Sequence, residues 1–398
     1  MDWHLITCEY PPRIGGVADY ARLVARGLAA AGDRVHVWCP SDVKAPESAA
    51  GVEVHATLGR FRPKDLRRTG RALRRFKGPR RLLVQWVPHG YGWRSMNVWF
   101  CLWLCARRLL RGDEVTLVVH EPFLPFGEGT RRQNLVALVH RLMTVVLLAS
   151  ARRVWVTIPR WEERLRPYAL GRRLTFGWLP VPSTTPAVAS PAEAAATRAL
   201  YAEEGVPLVG HFGTYGGLIA RTLREVLPRL LADEGARCAV LLLGRGGEAL
   251  REELLRAHPR LSGRLHATGT LAPEAVSRHL LACDLLFQPD PDGVSARRTS
   301  VMAGLAHGLA VVTTKGRLTE SVWGESGAVA LVDANDVAGL LDEVRRLLTS
   351  SDERARLGAA GLELYRERFD LAHAVAALRR ADTPRAANPS AVGAGAEA

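Results

Sequence analysis

The stretch that most constrains this chain is residues 285–316, LLFQPDPDGVSARRTSVMAGLAHGLAVVTTKG. A short apolar run, 285–287, opens into a polar loop carrying Asp290, Asp292 and Gly293, followed by Arg297 and Arg298. A small-residue helix is expected over 299–307, then a second apolar run over 309–312 that ends at Lys315 and Gly316. Strand, loop, helix, strand is the unit of an open parallel sheet, in which ligands sit beyond the carboxyl ends of the strands. Helix amides and two guanidinium groups at such a place suit a phosphate. A surface loop with solvated arginines is the competing reading of the same residues.

The rhythm of that stretch runs through the chain. In the first half, apolar strands are expected at 3–7, 34–38, 52–56, 82–86, 115–120 and 154–157, with an amphipathic helix over 17–31 after the loop CEYPPRIGG. Gly15 and Gly16 lack the GxGxxG spacing of a dinucleotide fingerprint, yet their backbone can approach an anion with no side chain in the way. The second half restarts at 207–212, and its strands end successively in Gly213, Gly244, Gly269 and the Gly293 loop. At 398 residues the chain exceeds one ordinary core. Proline and small residues gather at 179–196, so the division falls into a first domain 1–182, a linker 183–196 and a second domain 197–380. The alanine, proline and glycine content of 381–398 reads as a disordered tail.

Several classes are disfavoured. The most apolar run, 135–149, is interrupted by His140 and Arg141 and is short for a bilayer. The opening MDWHLITCEY reads as a strand, with neither a basic leader nor a cleavage site, so a cytoplasmic protein is expected. Six scattered cysteines offer no zinc set with neighbouring histidines, and no metal is expected. No nucleophile elbow or Ser–His–Asp spacing supports hydrolysis.

The formal charge of +14 is concentrated: residues 60–81 hold eleven Lys or Arg and one acid, Asp65. As a helix this segment places Leu66, Thr69, Leu73 and Phe76 on one face and arginines elsewhere. That pattern suits anionic lipid headgroups better than nucleic acid, since no nucleic-acid module accompanies it. A solvated basic face is the alternative. The helix candidate at 97–110, with Trp99, Phe100, Trp103 and Leu104, is expected to be mostly buried.

Two such domains would face each other through their strand-end loops. Arg297 and Arg298 could neutralise a diphosphate there, with Lys315 reaching the same anion and His120 ending a strand in LVVHEPF. Together, CEYPPRIGGVADY, HEPF, GHFG, LLLGRGG, TGTL, the stretch around 285–314 and the later TES resemble retaining glycosyltransferases of the GT-B fold, family four. The resemblance covers residues 1 to about 350 in order. It implies an α/β protein of two Rossmann-like domains across a cleft, the second holding a nucleoside-diphosphate sugar and the first recognising the acceptor. It assigns Gly15 and Gly16 to the diphosphate and reacting centre, His120 to the donor sugar, and Glu320 to donor hydroxyls or loop support. Thr270 and Leu271 would lie against the base. Gly213, Thr214, Gly244, Arg245, Asp292, Gly293, Ser295, Arg297, Arg298, Thr299 and Lys315 complete the expected donor site.

Two features depart from that family. Its usual pair of glutamates, separated by seven residues, falls here on Ser295 and Ala303, and its Arg–Lys pair is missing from GHFGTYGG. Arg297 and Arg298 are expected to supply the lost charge, with Asp290 or Asp292 on donor hydroxyls. The implied reaction is hexose transfer with retention, metal-independent, to a lipid-linked or polysaccharide precursor in bacterial envelope or exopolysaccharide assembly, at the inner face of the membrane. A soluble natural-product acceptor, a nucleotide-sugar epimerase and a non-catalytic sugar-nucleotide-binding protein are the alternatives.

Overall fold

The computed structural model describes residues 1–40, 49–92, 95–127, 130–233, 235 and 237–380. The tail at 381–398, expected to be disordered, lies outside the described residues. The first sheet contains β1 (Asp2–Ile6), β2 (Arg34–Trp38), β3 (Val52–His55), β4 (Arg81–Trp86), β5 (Glu114–Val119), β6 (Arg153–Val156) and β7 (Thr175–Trp178). The second contains β8 (Leu208–Phe212), β9 (Ala239–Leu243), β10 (Leu265–Gly269), β11 (Leu285–Gln288), β12 (Ala310–Lys315) and β13 (Ala330–Asp333). Their orders are β3-β2-β1-β4-β5-β6-β7 and β10-β9-β8-β11-β12-β13, with parallel neighbours. Each sheet reverses direction of growth at its first strand, and such a switch point opens a crevice between the diverging loops.

Period-two alternation decides which residues meet which layer. On one face of the first sheet, Trp3, Leu5, Val35 and Val37 pack with Tyr20, Val24 and Leu28 of the helix Gly16–Ala30. On the other, Ile6, Trp38, Leu82 and Val84 pack with Leu66, Leu73 and Phe100. Strand β9, AVLLL, is buried on both faces, the pattern of an inner parallel strand. All six cysteines are free thiols.

Four elements differ from the sequence reading. Strand β7, TFGW, is a sheet edge that was not foreseen, because four residues with one glycine carry little alternation. The apolar run 135–149 belongs to a longer helix, Arg131–Ser150, which has the length and composition to cross a membrane. Ala137, Met143, Leu147 and Leu148 of that helix are nevertheless buried in the protein. A helix, Pro191–Arg198, forms inside the expected linker, started by a reciprocal Ser190–Glu193 cap.

The fourth difference moves the end of the second domain. The helix Leu371–Arg379 returns to the first domain, where Ala374, Val375 and Leu378 join Trp3, Leu5 and Leu28 in one core. Gly27 permits the approach: a Cβ there would stand 2.8 Å from Val375 Cγ2. Arg379 pairs with the buried Asp33 at 3.0 Å. A single π-turn, Tyr365–Phe369, precedes the crossing, and its Tyr365 hydroxyl accepts from the Ser183 amide of the other crossing segment at 3.2 Å. The two interdomain passages are therefore tied to each other.

Candidate active site

The carboxyl ends of the second sheet build one wall of a cleft. After β8 the chain turns through Gly213 to Gly216 and enters the helix Gly217–Leu231, whose first turn carries no side-chain cap among the described residues. Uncapped amides at a helix start are an anion site in waiting. The next loop crosses so close that a Cβ on Gly244 would lie 2.2 Å from the Gly213 carbonyl oxygen, and both glycines hold positive φ, 113° and 150°. Only glycine lets the two loops share that space.

These loops and the Gly15–Gly16 loop of the first domain face one cavity of about 470 Å³, within the range of small-ligand sites. The expected Gly15, Gly16, Gly213, Thr214, Gly244, Arg245, Thr270, Leu271, Arg297, Arg298 and Thr299 all line it. So do residues the sequence reading did not assign, among them Asp19, Arg22, Thr184, Thr185, His211, Gln288 and Ser300. Thr184 and Thr185 come from the interdomain crossing.

The charges are arranged differently from the expectation. Arg297 donates to Glu121 of the first domain at 2.9 Å, and His89 lies 2.7 Å from the same carboxylate. These hydrogen bonds and the two cations outweigh burial and hold Glu121 down at about 2. Arg298 lies 3.1 Å from Asp290, a carboxylate only 5% exposed. There burial outweighs the arginine and pushes Asp290 up to about 6. Both arginines thus carry a carboxylate already. Arg245, exposed at the cavity wall, has no carboxylate partner among the described residues. The two guanidinium groups expected to neutralise the diphosphate are engaged, and Arg245, expected only as one of the donor-site residues, is open.

The amino-terminal loop is also partly satisfied. Glu9 accepts from the Val17 and Ala18 amides at 3.1 and 3.0 Å and so caps the helix Gly16–Ala30. Gly15 is next to that carboxylate: a Cβ on it would stand 2.3 Å from Glu9 Oε1. Sequence reading credited Gly15 and Gly16 with an open backbone approach to an anion; the carboxylate six residues before Gly15 in CEYPPRIGG takes the two helix amides that follow them, those of Val17 and Ala18.

Several expected residues do not line the cleft. His120 is buried, with Nε2 2.9 Å from Gln85 Oε1, and an amide oxygen can only accept, so the proton is on Nε2. Tyr20 meets its ring edge-on, and burial drives its pKa down to about 4. Asp292 pairs with Arg317 at 2.9 Å. Gly293, at φ 84°, is wedged where a Cβ would meet Thr319 Oγ1 at 2.2 Å. Lys315 is exposed at the end of β12. Ser295 and Ala303 are fully buried. Glu320 accepts from the Ala296 amide at 3.0 Å and Trp323 Nε1 at 2.8 Å, bracing the arginine loop, and burial raises its pKa to about 7. Of these, His120, Gly293, Ser295 and Glu320 belong to the buried or partly buried frame behind the cleft, and Asp292 and Lys315 lie at the protein surface, outside the cleft lining.

His211 is the lining residue the sequence hid. Its Nδ1 donates to the Phe287 carbonyl at 2.8 Å, which leaves Nε2 as a buried acceptor with no partner among the described residues. Burial lowers its pKa to about 4, so the ring is neutral. A neutral imidazole with a bare acceptor can take a hydrogen bond from a ligand N–H or O–H.

The family described as Glycosyl transferases group 1 matches residues 208–350. No curated protein matches the chain significantly. Among solved structures, a sucrose-phosphate synthase from Thermosynechococcus elongatus is similar at TM-score 0.71 and 18% identity, covering 95% of this chain and 97% of its own. WaaG, a glycosyltransferase involved in lipopolysaccharide biosynthesis, is similar at TM-score 0.64 and 15% identity, covering 95% and 98%. HepE from Anabaena, in complex with UDP and glucose, is similar at TM-score 0.66 and 15% identity, with the same coverage. With two Rossmann-like domains closed on one cleft, the chain is a GT-B-fold, glycosyltransferase-like protein.

Proposed function

We propose that the protein is a retaining hexosyltransferase that takes its sugar from a nucleoside diphosphate and delivers it to a lipid-linked or polysaccharide-precursor acceptor. One observation carries this reading: the cleft joins the Gly213–Thr214 turn, Ile219 in the uncapped first turn of the helix Gly217–Leu231, Arg245 and Arg298 on one wall to the Gly15–Gly16 loop on the other. A diphosphate leaving group develops negative charge as the glycosidic bond to it breaks. Preorganised amides and guanidinium groups stabilise that charge most when water is excluded. Among proteins of this fold, HepE binds UDP and glucose, which supports a nucleotide sugar as the ligand here.

In this scheme the diphosphate rests on the helix start after β8, with Arg245 as its first cation. Arg298 joins when its hold on Asp290 loosens. Thr270 and Leu271 receive the base, and His211 Nε2 accepts from a donor hydroxyl or base N–H. The acceptor enters from the Gly15–Gly16 side, and the leaving diphosphate oxygen takes its proton on the face the bond leaves, giving retention. Glu320 and His120 act at one remove, by holding the Ala296 loop and the Glu121 turn.

The lipid-linked acceptor rests on a surface of the first domain. The helix Pro63–Leu73 exposes Arg67, Arg68 and Arg71, and the following turn exposes Arg74, Arg75 and Lys77. Arg80, counted in the same basic run, is instead buried with Asp113 at 2.9 Å. Beside that helix, Val98–Arg111 exposes Trp99, Leu102, Leu109 and Leu110, and Arg131–Ser150 exposes Leu135, Leu138 and Leu142. Cations next to solvent-facing apolar side chains suit the headgroup boundary of an anionic bilayer. Flotation with anionic and neutral vesicles tests this: binding to anionic vesicles alone is expected, and equal behaviour with both contradicts it.

The activity itself is tested by incubating the purified protein with uridine, guanosine, adenosine and thymidine diphosphate hexoses plus a bacterial lipid extract. Release of one nucleoside diphosphate with sugar appearing in the lipid fraction is the expected result. Tight donor binding with no release under any acceptor supply would favour a binding protein, consistent with the absent carboxylates at 295 and 303.

A further inference from the structure

Outside the cleft lining, the first sheet brings three ligand-type side chains together. In the register of β2 with β3, His36 stands opposite Glu53 and Trp38 opposite His55. Residues two apart on a strand share a face, so His36, Glu53 and His55 all project to the side where Phe76 packs. His36 Nδ1 lies 3.2 Å from His55 Nε2 and 3.2 Å from a Glu53 oxygen, and the other Glu53 oxygen is 3.6 Å from His55 Nε2. The three donor atoms fit within 4.8 Å of one another.

Those separations match the edge of a coordination polyhedron. Ligands at about 2.0–2.1 Å from a tetrahedral zinc-class ion stand about 3.3–3.4 Å apart. Hydrogen bonding explains the cluster less well. If His36 Nδ1 carries the proton, it donates to His55 Nε2, and the two Glu53 oxygens, 3.2 and 3.6 Å from the ring nitrogens, receive no hydrogen bond from either imidazole. His55 Nε2 and the two carboxylate oxygens then converge around a single proton, an arrangement that a cation replacing that proton relieves. His36 is 9% exposed and stacks on His4 at 5.2 Å, while Glu53 faces solvent, so the site has a fixed floor and an open entry. His4 is not a fourth ligand through Nδ1, which accepts from Trp38 Nε1 at 3.2 Å.

We propose that His36 Nδ1, His55 Nε2 and the Glu53 carboxylate bind one divalent ion of the zinc class, tying the edge strand β3 to β2. Two imidazoles and a carboxylate, with no thiolate, suit zinc over soft monovalent copper or an iron–sulfur cluster. The fourth position goes to solvent. Local spacing in the sequence could not disclose this set, because Glu53 comes seventeen positions after His36 and only the strand register joins them.

The test uses the full chain stripped with chelator and titrated with zinc chloride, followed by calorimetry and a thermal melt. One equivalent at micromolar affinity or tighter, with a rise in Tm, is expected. His55→Gln and Glu53→Gln, at partly or fully exposed positions, should each weaken binding on the order of tenfold or more, while His258→Gln, at the end of the helix Gly247–Ala257 in the second domain, should leave it unchanged. Cobalt substitution should give visible absorption of tetrahedral intensity in the parent protein and lose it in His55→Gln. Absence of stoichiometric binding, or equal affinity in His55→Gln, overturns the proposal; circular dichroism on each variant separates lost binding from lost fold.

Discussion

At the scale of single residues, the decisive group is Asp290. Its folded-state pKa is raised from 3.8 to about 6 because burial outweighs the nearby Arg298 and Arg297. A carboxyl raised in this way favours the protonated folded form, so the site withdraws stability as pH climbs from 3.8 to about 6. Protonation also releases Arg298. Donor affinity should therefore tighten as pH falls through that window, a range in which the diphosphate diester of a nucleotide sugar does not itself titrate. Asp290→Asn should tighten donor binding at neutral pH, on the order of tenfold if a full pKa unit of coupling is relieved, and flatten the pH profile. Calorimetric titration across pH checks this, and parallel profiles for the parent protein and Asp290→Asn would contradict it. The sequence showed Asp290 and Arg298 in one loop, but not that they face each other with the carboxylate buried. Side-chain pairing depends on how the loop folds back, which spacing does not encode. His211 stayed hidden for a related reason: its value lies in which nitrogen the Phe287 carbonyl leaves free.

At the scale of elements, the helix Gly16–Ala30 and its Glu9 cap behave as one unit. Gly15 is extended at φ −179°, a conformation open to any residue, so its requirement is steric. Gly15→Ala should push the Glu9 carboxylate off the helix amides at a cost of about 1 kcal/mol, close to that of Glu9→Ala. Because both remove the same cap, the double variant should cost little more than either alone; additive losses in denaturant melts would contradict the shared cap. The alternation of strands and glycine loops was legible because buried parallel strands are continuous apolar runs and the close Gly213–Gly244 approach demands glycine. Strand β7 and the returning helix Leu371–Arg379 were not. Their place is set by a neighbouring edge and by a passage between domains, and neither leaves a local period.

For the whole molecule, closure of the cleft is held by Glu121 with Arg297 and His89 as well as by the two crossing segments. Glu121 is depressed to about 2, so its contribution is present above 4.5 and is lost as pH falls through about 2. His89 is raised by the same carboxylate, so its share is full below 6.5 and fades as pH rises through its elevated value. Glu121→Gln should let the domains separate. Small-angle scattering at low salt should give a larger radius of gyration for the variant, with the difference shrinking at high salt; identical radii at low salt would show that the crossings and the other interdomain contacts, such as Arg160 with the Arg317 carbonyl, fix the domains without Glu121. The two-domain architecture could be anticipated from length and from the restart of the βα rhythm at β8, whereas the ion pair across the cleft joins residues 176 apart and needed the fold.

The central claim is that the cleft between the domains holds a nucleoside diphosphate on the helix start after β8, Arg245 and Arg298. It is tested most directly by calorimetric titration of the parent protein, Arg245→Ala and Arg298→Ala with uridine, guanosine, adenosine and thymidine diphosphates. One of the four should bind the parent protein with a single site, and both variants should lose affinity on the order of tenfold or more for charge-assisted contacts, Arg245→Ala the more at neutral pH. Binding by none of the four, or equal affinity in all three proteins, would contradict the account.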